Sequence, residues 1–353
     1  MRAINSHFHW YPKSVFEALC KRTDEPRAKS NPKGGYDVTP HVGVTRCDTW
    51  ADWFDLDAML EHMDKAAQGA GNFGGFDFGV VCTTGPGGAF FSETDAASGY
   101  AFSQMWNDEI AAACRRYPGK VWGSGVVPLQ DPKRCVDELE RAMKMGLVGV
   151  NVPSTIGAHG KIRVDDASLA DFYATAERLG ATLFMHPTDV VFPAVCEGYD
   201  GALYNSLGKV VEVSIAAYRL VLSGIMERHP NLKVYVSHTG GALPYQAGRM
   251  DKNSKAAKLP KPVTDYMKRM YTDTVSPHSA GIKFAIDYFG IDHVMYGTDY
   301  PCWDPSPCLK LIEDITLTPA QKQKLFYDNA RRILNLRDPA PAKKTTKREP
   351  ALA

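Results

Sequence analysis

Short apolar stretches alternate with longer amphipathic stretches along most of the chain. The short stretches are typical of buried strands, and the longer ones carry apolar residues at a spacing of three to four, which is typical of helices. Strands that alternate with helices predict a parallel sheet built from βα units. The eight predicted strands span residues 3–9, 78–83, 121–128, 147–152, 182–186, 233–238, 271–275 and 293–299. The predicted helices span residues 57–67, 105–116, 132–144, 167–179, 210–228, 280–288 and 319–334.

The number of predicted βα units and the chain length together indicate the fold class. Eight units in 353 residues fit a single α/β domain of the (β/α)₈ type, a TIM barrel, over residues 1–336. Residues 21–53, rich in Gly, Pro and charge, are too long for an ordinary βα connection. They predict an N-terminal insertion after strand 1 that acts as a lid or a partner contact. Residues 337–353 lack apolar periodicity and predict a disordered tail.

Charge and cysteine usage exclude several classes of partner. The chain has 41 basic and 40 acidic side chains, and its net charge of +1 gives no strong field for nucleic acid. It shows no secretory signal and no long apolar run that would enter a membrane. Its eight cysteines form no CxxC pair and predict free thiols in a reducing compartment. We therefore expect a cytoplasmic protein that binds neither nucleic acid nor membrane, with room for a pocket that takes one anionic substrate.

Several histidines and one aspartate lie at the ends of predicted strands. His7 and His9 lie two residues apart on the first strand, so their side chains share a face. His186, His238 and Asp299 close the fifth, sixth and eighth strands. Barrel active sites are built at these carboxyl ends, and imidazole with carboxylate is a suitable ligand set for a divalent metal. A single HxH pattern is a weak signal, but ligand-type residues at four strand ends predict a metal site.

The other histidines occupy loops, helices or strand starts, where solvated or capping roles are expected. These histidines are His41, His62, His159, His229 and His293. For His278, just after the seventh strand, the choice between a role in the site and a solvated or capping role is left open.

With these residues in place, the chain resembles the amidohydrolase superfamily. Within it, the chain is most similar to aminocarboxymuconate semialdehyde decarboxylase and related metal-dependent non-oxidative decarboxylases. The resemblance spans nearly the whole chain. It is carried by HFH at 7–9, PLQD at 128–131, HP at 186–187, HTGGALPYQAGR at 238–249, GTDYP at 297–301 and DNA at 328–330.

The resemblance implies a single catalytic metal ion, zinc by expectation with manganese as the alternative. The ligands that it implies are His7, His9, His186 and Asp299, and it assigns proton transfer to His238, with Asp299 also counted as catalytic. The fourth strand ends without a lysine, which argues against the two-metal hydrolases of the superfamily.

The resemblance also implies contacts to a small carboxylic acid substrate. Arg46 and Arg249 are expected to pair with substrate carboxylates, because a guanidinium binds both oxygens at once. Arg249 is expected to reach into a neighbouring subunit, so a homodimer or a higher homo-oligomer is expected. A surface salt bridge is the alternative for both arginines. Trp303 is expected to line the pocket.

Other aromatic residues that could form an apolar wall for a planar substrate are Trp50, Phe192 and Tyr300. For any one aromatic residue, Trp303 included, core packing is the alternative.

Departures from the family pattern leave the substrate open. Asn5 stands where many relatives carry Asp, and Thr188, Asp189 and Thr239 also differ. The expected activity is decarboxylation of an aromatic or muconate-type acid. The alternative is a hydratase or a C–C hydrolase of a ring-fission product, although such relatives tend to carry Glu at the position of Asp299. A barrel that keeps the metal only for structure is a third, less favoured interpretation.

Overall fold

The computed structural model describes residues 1–42, 49–68, 77–83, 90–157, 161–188 and 196–336. The strands are β1 (Arg2–Phe8), β2 (Arg27–Ser30), β3 (Tyr36–Thr39), β4 (Asp77–Cys82), β5 (Val121–Gly123), β6 (Gly149–Pro153), β7 (Thr155–Ile156), β8 (Ile162–Arg163), β9 (Thr182–His186), β10 (Lys233–Val236), β11 (Thr272–Asp273) and β12 (Val294–Met295).

The described α-helices are Lys13–Cys20, Leu56–Gln68, Ala96–Arg116, Pro132–Lys144, Ala170–Leu179, Asp200–Leu203, Lys209–Leu222, Ile225–Arg228, Leu243–Asn253, Val263–Met267, Ser279–Phe289, Pro305–Glu313, Pro319–Gln323 and Asn329–Ile333. Short 3₁₀ turns are Ala51–Trp53, Phe90–Ser92, Ala167–Leu169, Lys255–Ala257 and Ile291–His293, and π turns are Tyr204–Gly208 and Lys324–Asp328. The predicted α/β class is therefore confirmed.

Eight of the described strands pair in parallel. The ladders are β1–β4–β5, β6–β9–β10 and β11–β12. Single parallel bridges join Gly125 to Val150, Tyr235 to Tyr271 and Phe8 to Tyr300. These bridges connect β5 to β6, β10 to β11, and the segment after β12 back to β1. The pairing order is thus circular, which brings all eight carboxyl ends to one rim.

Two groups of apolar side chains lie on the two faces of these strands. Inside the ring, Ile4, Phe184 and Met295 belong to one buried cluster together with Ile333 and Leu336 from the end of the described chain. The strand residues that alternate with these in sequence point to the other face and pack outward against the helices. Burial on both faces explains why the strands are continuously apolar in sequence.

The C-terminal helix lies at the amino ends of the strands. The carbonyl of Ile333 accepts a hydrogen bond from Nζ of Lys233, the first residue of β10, at 2.8 Å. Since Ile333 also belongs to the interior cluster, this helix closes that end of the ring with apolar side chains. The opposite end carries the residues that the sequence singled out for chemistry.

Several predicted strands end earlier in the structure than the apolar pattern indicated. The strands predicted at 233–238 and 293–299 end at Val236 and Met295. Neither strand can extend to its predicted end, because His238 and Asp299 have φ values of 58° and 62°, which a β ladder does not accommodate. The predicted strand ends at these two residues are therefore wrong, although the strands themselves are present.

The predicted helices are present, most of them with altered bounds. The helix at 132–144 has the predicted limits, and Thr318 and Gln321 form a capping box at the start of the helix Pro319–Gln323. The helix predicted at 319–334 is interrupted by the π turn Lys324–Asp328.

The segment predicted as an insertion contains regular structure, because β2 and β3 form an antiparallel hairpin within it. The tail at 337–353 lies outside the described residues. In the described part of the chain, the helices are too short or too polar to cross a bilayer.

Candidate metal centre

Four predicted ligands converge at the carboxyl ends of the parallel strands. His7 and His9 come from β1 and its end, His186 from the end of β9, and Asp299 from the segment after β12. One ligand atom from each of the four lies within 4.8 Å of the others, and all four residues are buried. The structure therefore brings together residues from opposite ends of the chain at one point.

His7 and His9, in and just after β1, reach the same point where the strand is irregular. Its register against β4 shifts between Asn5 and Phe8, and Nε2 of His7 lies 3.1 Å from Nε2 of His9. Oδ1 of Asn5 accepts from the backbone N–H of His7 and of Thr298, both at 3.2 Å. Asn5 thus joins β1 to the residues before Asp299 and is not itself one of the four ligands.

The imidazoles share an orientation that suits metal binding. Nδ1 of His7 lies 2.7 Å from Oδ2 of Asp273, and Nδ1 of His9 lies 3.0 Å from the carbonyl of Thr83. Nδ1 of His186 lies 2.9 Å from the carbonyl of Pro187. These acceptors assign the proton to each Nδ1, which leaves Nε2 as the electron-pair donor.

The Nε2 atoms of two of these histidines contact the carboxylate of Asp299, and His186 lies beside them. Oδ1 of Asp299 lies 2.8 Å from Nε2 of His9 and 3.2 Å from Nε2 of His7. Nε2 of His186 is buried with no partner among the described residues, and its ring lies 5.1 Å from the ring of His9. An unpartnered buried nitrogen is costly, and it is here a donor atom available to a cation. The set of three imidazoles and one carboxylate therefore fits a single divalent metal ion.

His238 lies beside the four ligands. Its Nε2 is 3.7 Å from Oδ2 of Asp299, and its ring is 5.1 Å from the ring of His186. Its Nδ1 lies 3.0 Å from Oγ of Ser237. His7 and His9 face Oδ1 of Asp299, whereas His238 faces Oδ2 of the same carboxylate. This position beside the candidate ligands suits proton transfer.

A left-handed turn presents His238 to the site. The four residues from His238 to Gly241 all have positive φ. A Cβ on Gly241 would lie 2.4 Å from Oγ of Ser214, so glycine is required there. His238 and Thr239 are strained in this region, and such strain is concentrated at functional sites.

Asp273 holds this turn and the candidate ligand His7 together, a role that the sequence patterns did not predict. Besides His7, its carboxylate accepts from the hydroxyl of Tyr235 at 2.7 Å and from the backbone N–H of His238 and Thr239 at 3.2 and 2.9 Å. It is fully buried on β11. An acidic residue in the middle of the predicted strand at 271–275 was the signal that could have found it.

The site attracts positive charge. Burial raises the pKa of Asp299, but the charge of His7 and hydrogen bonds from neighbouring histidines outweigh it and hold that pKa well below its usual range. For His7, burial lowers the pKa, but the carboxylates of Asp299 and Asp273 raise it to about 9. Burial, and then the charge of His238, hold the pKa of His186 well below its usual value, so this imidazole is neutral.

The predicted substrate-binding residues do not all gather at the site. Arg46 lies outside the described residues. Arg249 is exposed on the helix Leu243–Asn253, and it does not belong to the ligand group. Trp303 is partly buried in the turn after Asp299, where its backbone N–H donates to the Asp299 carbonyl at 3.4 Å.

Two of the predicted aromatic wall residues pack on the protein itself. The ring of Trp50 lies edge-on against Trp53 at 5.2 Å, and the ring of Tyr300 stacks on His62 at 5.1 Å. Phe192 and Asp189 lie outside the described residues. Trp53 stacks on the candidate ligand His9, a contact that the sequence patterns did not predict.

The other described histidines do not belong to the ligand group. Their hydrogen-bonding neighbours are Asp304 for His62, Glu177 for His229 and the carbonyl of Met270 for His293. His41 pairs with Glu93 at 3.7 Å, and His278 is exposed at the start of a helix. His159 lies outside the described residues.

Two of the sequence motifs maintain the fold. Asp131 of the PLQD motif caps the helix Pro132–Lys144 by accepting from the backbone N–H of Arg134. Asn329 of the DNA motif donates to the carbonyls of Ile291 and Val294 at 2.6 and 2.8 Å. These motifs anchor helices and do not reach the ligands.

Comparisons with known proteins agree with this geometry. The family described as "Amidohydrolase" matches residues 4–336. A 2-amino-3-carboxymuconate-6-semialdehyde decarboxylase of Dictyostelium discoideum is 29% identical over 245 residues, which is 66% of this chain and 66% of the relative. A gamma-resorcylate decarboxylase of Rhizobium radiobacter is 29% identical over 65% of this chain and 75% of its own length.

A solved structure extends the likeness to the whole fold. The 5-carboxyvanillate decarboxylase of Novosphingobium aromaticivorans, a variant with bound manganese, superposes with a TM-score of 0.77 at 21% identity. The superposition covers 95% of this chain and 97% of that one. At this identity the likeness shows a shared fold.

Proposed function

The chain belongs to the amidohydrolase family, and from this premise we propose that it is a metal-dependent decarboxylase, a C–C lyase. Its substrate is a small aromatic or muconate-type carboxylic acid. The observation that carries the proposal is the convergence of three buried imidazoles and the Asp299 carboxylate, whose ligand atoms lie within 4.8 Å of one another beside His238. Both relatives described above are named as decarboxylases of carboxylic acids of this kind.

The architecture that we propose is one (β/α)₈ barrel over residues 1–336, with residues 21–53 as an insertion after the first strand. The circular order of the eight parallel strands supports it. The described cysteines do not form disulfide bonds, which fits a cytoplasmic location.

The residues that hold the metal are His7, His9, His186 and Asp299. The ligand set suits zinc, and the manganese bound by the similar structure makes manganese the alternative. When bound, a divalent ion polarises substrate oxygens and stabilises negative charge that develops on the substrate. Asp273 and the carbonyl groups at the Nδ1 atoms orient the imidazoles.

His238 supplies the proton that decarboxylation requires. The bond between the substrate carbon and its carboxylate breaks, and CO₂ leaves. The electron pair remains on that carbon, to which His238 delivers a proton. Asp299, whose Oδ2 lies 3.7 Å from Nε2 of His238, orients the imidazole.

Arg46, Arg249 and Trp303 complete the substrate site in this proposal. Arg249 and Tyr245 are both exposed and are four residues apart, so they share one face of the helix Leu243–Asn253. An exposed aromatic beside an arginine is typical of protein interfaces. We therefore propose a homodimer or a higher homo-oligomer in which Arg249 reaches the neighbouring subunit's substrate.

A panel of acids tests the activity. Zinc-loaded and manganese-loaded protein is incubated with salicylate, gamma-resorcylate, 5-carboxyvanillate and 2-amino-3-carboxymuconate semialdehyde, and CO₂ release is measured. We expect release from at least one acid and none from the His238→Ala variant. Water addition to a ring-fission product without CO₂ release would instead assign the hydratase alternative.

A further inference from the structure

The indole of Trp53 joins the predicted insertion to the candidate metal centre. Its ring stacks on the imidazole of His9, with centroids 5.5 Å apart and planes 20° apart. Tyr11 packs on the same indole at 4.5 Å, and the backbone N–H of Tyr11 donates to the carbonyl of Trp53 at 2.8 Å. These contacts fix a 1% exposed indole directly beside a predicted metal ligand.

The N–H of this indole has no hydrogen-bond partner among the described residues. An indole nitrogen can only donate. The stacked imidazole does not accept the hydrogen bond, because its nitrogens face Thr83 and Asp299. A buried donor without an acceptor lowers the stability of the free protein and becomes favourable once an acceptor arrives.

We propose that Trp53 is a substrate-binding residue whose indole N–H donates to a carboxylate oxygen of the bound acid. The inference rests on the proposed function, since the acceptor belongs to the carboxylic acid. A charged acceptor is favoured over a phenol, because hydrogen bonds to ionised oxygens are stronger. Trp53, at the end of the predicted insertion, therefore contributes a specificity-determining residue to the metal centre.

The competing role for Trp53 is packing, in which the ring supports His9 and the N–H has no function. Replacing Trp53 with Phe keeps an aromatic ring on His9 and removes the donor. Incorporating β-(3-benzothienyl)alanine at the same position keeps the bicyclic shape and replaces only the N–H with sulfur. This second variant separates the two roles even if Trp53→Phe folds poorly.

Trp106 provides a matched control. Its side chain is fully buried, and its indole N–H likewise has no partner among the described residues. Its ring packs on Tyr11 at 5.1 Å, within the same aromatic cluster, but its described ring contacts do not include a metal-centre histidine. Trp106→Phe therefore makes the same chemical change away from the metal centre.

The test uses manganese-loaded wild type, both Trp53 variants and Trp106→Phe. The ligands are the acid of the panel that the wild type turns over fastest and the decarboxylated product of that acid. We expect both Trp53 variants to raise KM and Kd for the acid about ten-fold. Affinity for the product, metal content and the behaviour of Trp106→Phe should stay within about two-fold of the wild type.

The outcomes separate this inference from the proposed function. Unchanged affinity of the Trp53 variants for the acid, or equal weakening for the acid and its product, would overturn the role of the N–H while decarboxylation stands. A wild type that neither binds nor decarboxylates any acid of the panel would overturn the proposed function and, with it, the role of Trp53.

Discussion

The two ends of the strand ring differ sharply in what they bury. The carboxyl end buries His7, His9, His186 and Asp299, and the adjoining turn is held in left-handed backbone. The amino end buries an apolar cluster closed by Ile333 and its neighbours from the C-terminal helix. One end concentrates charge and strain, and the other concentrates packing.

This difference indicates how stability and function are divided in the molecule. Buried ionisable groups and strained backbone lower stability unless partners compensate for them. Tightly packed apolar side chains at the other end supply that stability. We therefore expect substitutions at the carboxyl end to change chemistry with little loss of stability, and substitutions at the amino end to do the reverse.

The largest effect on activity is expected from removing a ligand. Asp299→Ala should lower decarboxylation on the order of a thousand-fold or more, because the metal and its stabilisation of developing charge are lost. Metal content, measured by elemental analysis, should fall with it. The free energy of unfolding of the metal-free variant should fall by no more than the roughly 1–2 kcal/mol that Ala costs in the left-handed backbone of Asp299, where φ is 62°. A variant that keeps both metal and activity would contradict the assignment of the chemistry to the carboxyl end.

Loss of the proton-transfer group should have the next largest effect. His238→Asn should lower kcat by roughly 10²–10⁴-fold, which is the usual contribution of a general acid. Asn is chosen because it tolerates the left-handed backbone that His238 adopts with φ 58°. Metal content should stay at the wild-type level. If kcat is unchanged, His238 takes no part in the reaction.

Asp273 sharpens the comparison, because it supports the site without belonging to the ligand group. Asp273→Asn keeps the size of the side chain but weakens its hold on His7 and on the turn at His238. Metal affinity should fall roughly 10–100-fold, as for other residues that orient metal-bound histidines. Competition with a fluorescent chelator measures this affinity. An unchanged affinity would restrict Asp273 to a role in folding.

The smallest effect on activity is expected at the opposite end. Ile333→Ala should destabilise the protein by about 2–4 kcal/mol, since it leaves a cavity in the interior cluster. Denaturant unfolding measures the loss. At a temperature where the variant remains folded, kcat/KM should stay within about two-fold of the wild type. A large loss of activity in the folded variant would show that the two ends are coupled.

Much of the fold could be predicted from hydrophobic patterning, because the strands are apolar on both faces and the helices on one. The pattern could not locate strand ends at His238 and Asp299, where backbone conformation decides. It also did not reveal the helix Leu243–Asn253, which follows the left-handed turn and contains Pro244 and Gly248. The β2–β3 hairpin was not recognised within a segment judged by its composition.

The residues of the candidate site likewise divide into those that the sequence could predict and those that it could not. The four proposed ligands could be predicted because each is a ligand-type residue at a predicted strand end, where a barrel gathers side chains. Asp273 and Trp53 were not, because their roles arise from contacts that form only in the folded chain. Asp273 meets His7 across 266 positions of sequence, and Trp53 meets His9 through ring stacking.

The central claim is that four distant side chains hold one catalytic cation. Elemental analysis of the purified protein before and after dialysis against a chelator tests it most directly, with CO₂ release measured on the same samples. The account predicts about one zinc or manganese ion per chain, loss of release on chelation without unfolding, and recovery when the ion is restored. A protein that contains no divalent metal as purified and binds none when it is added, or CO₂ release that survives complete removal of the ion, would contradict it.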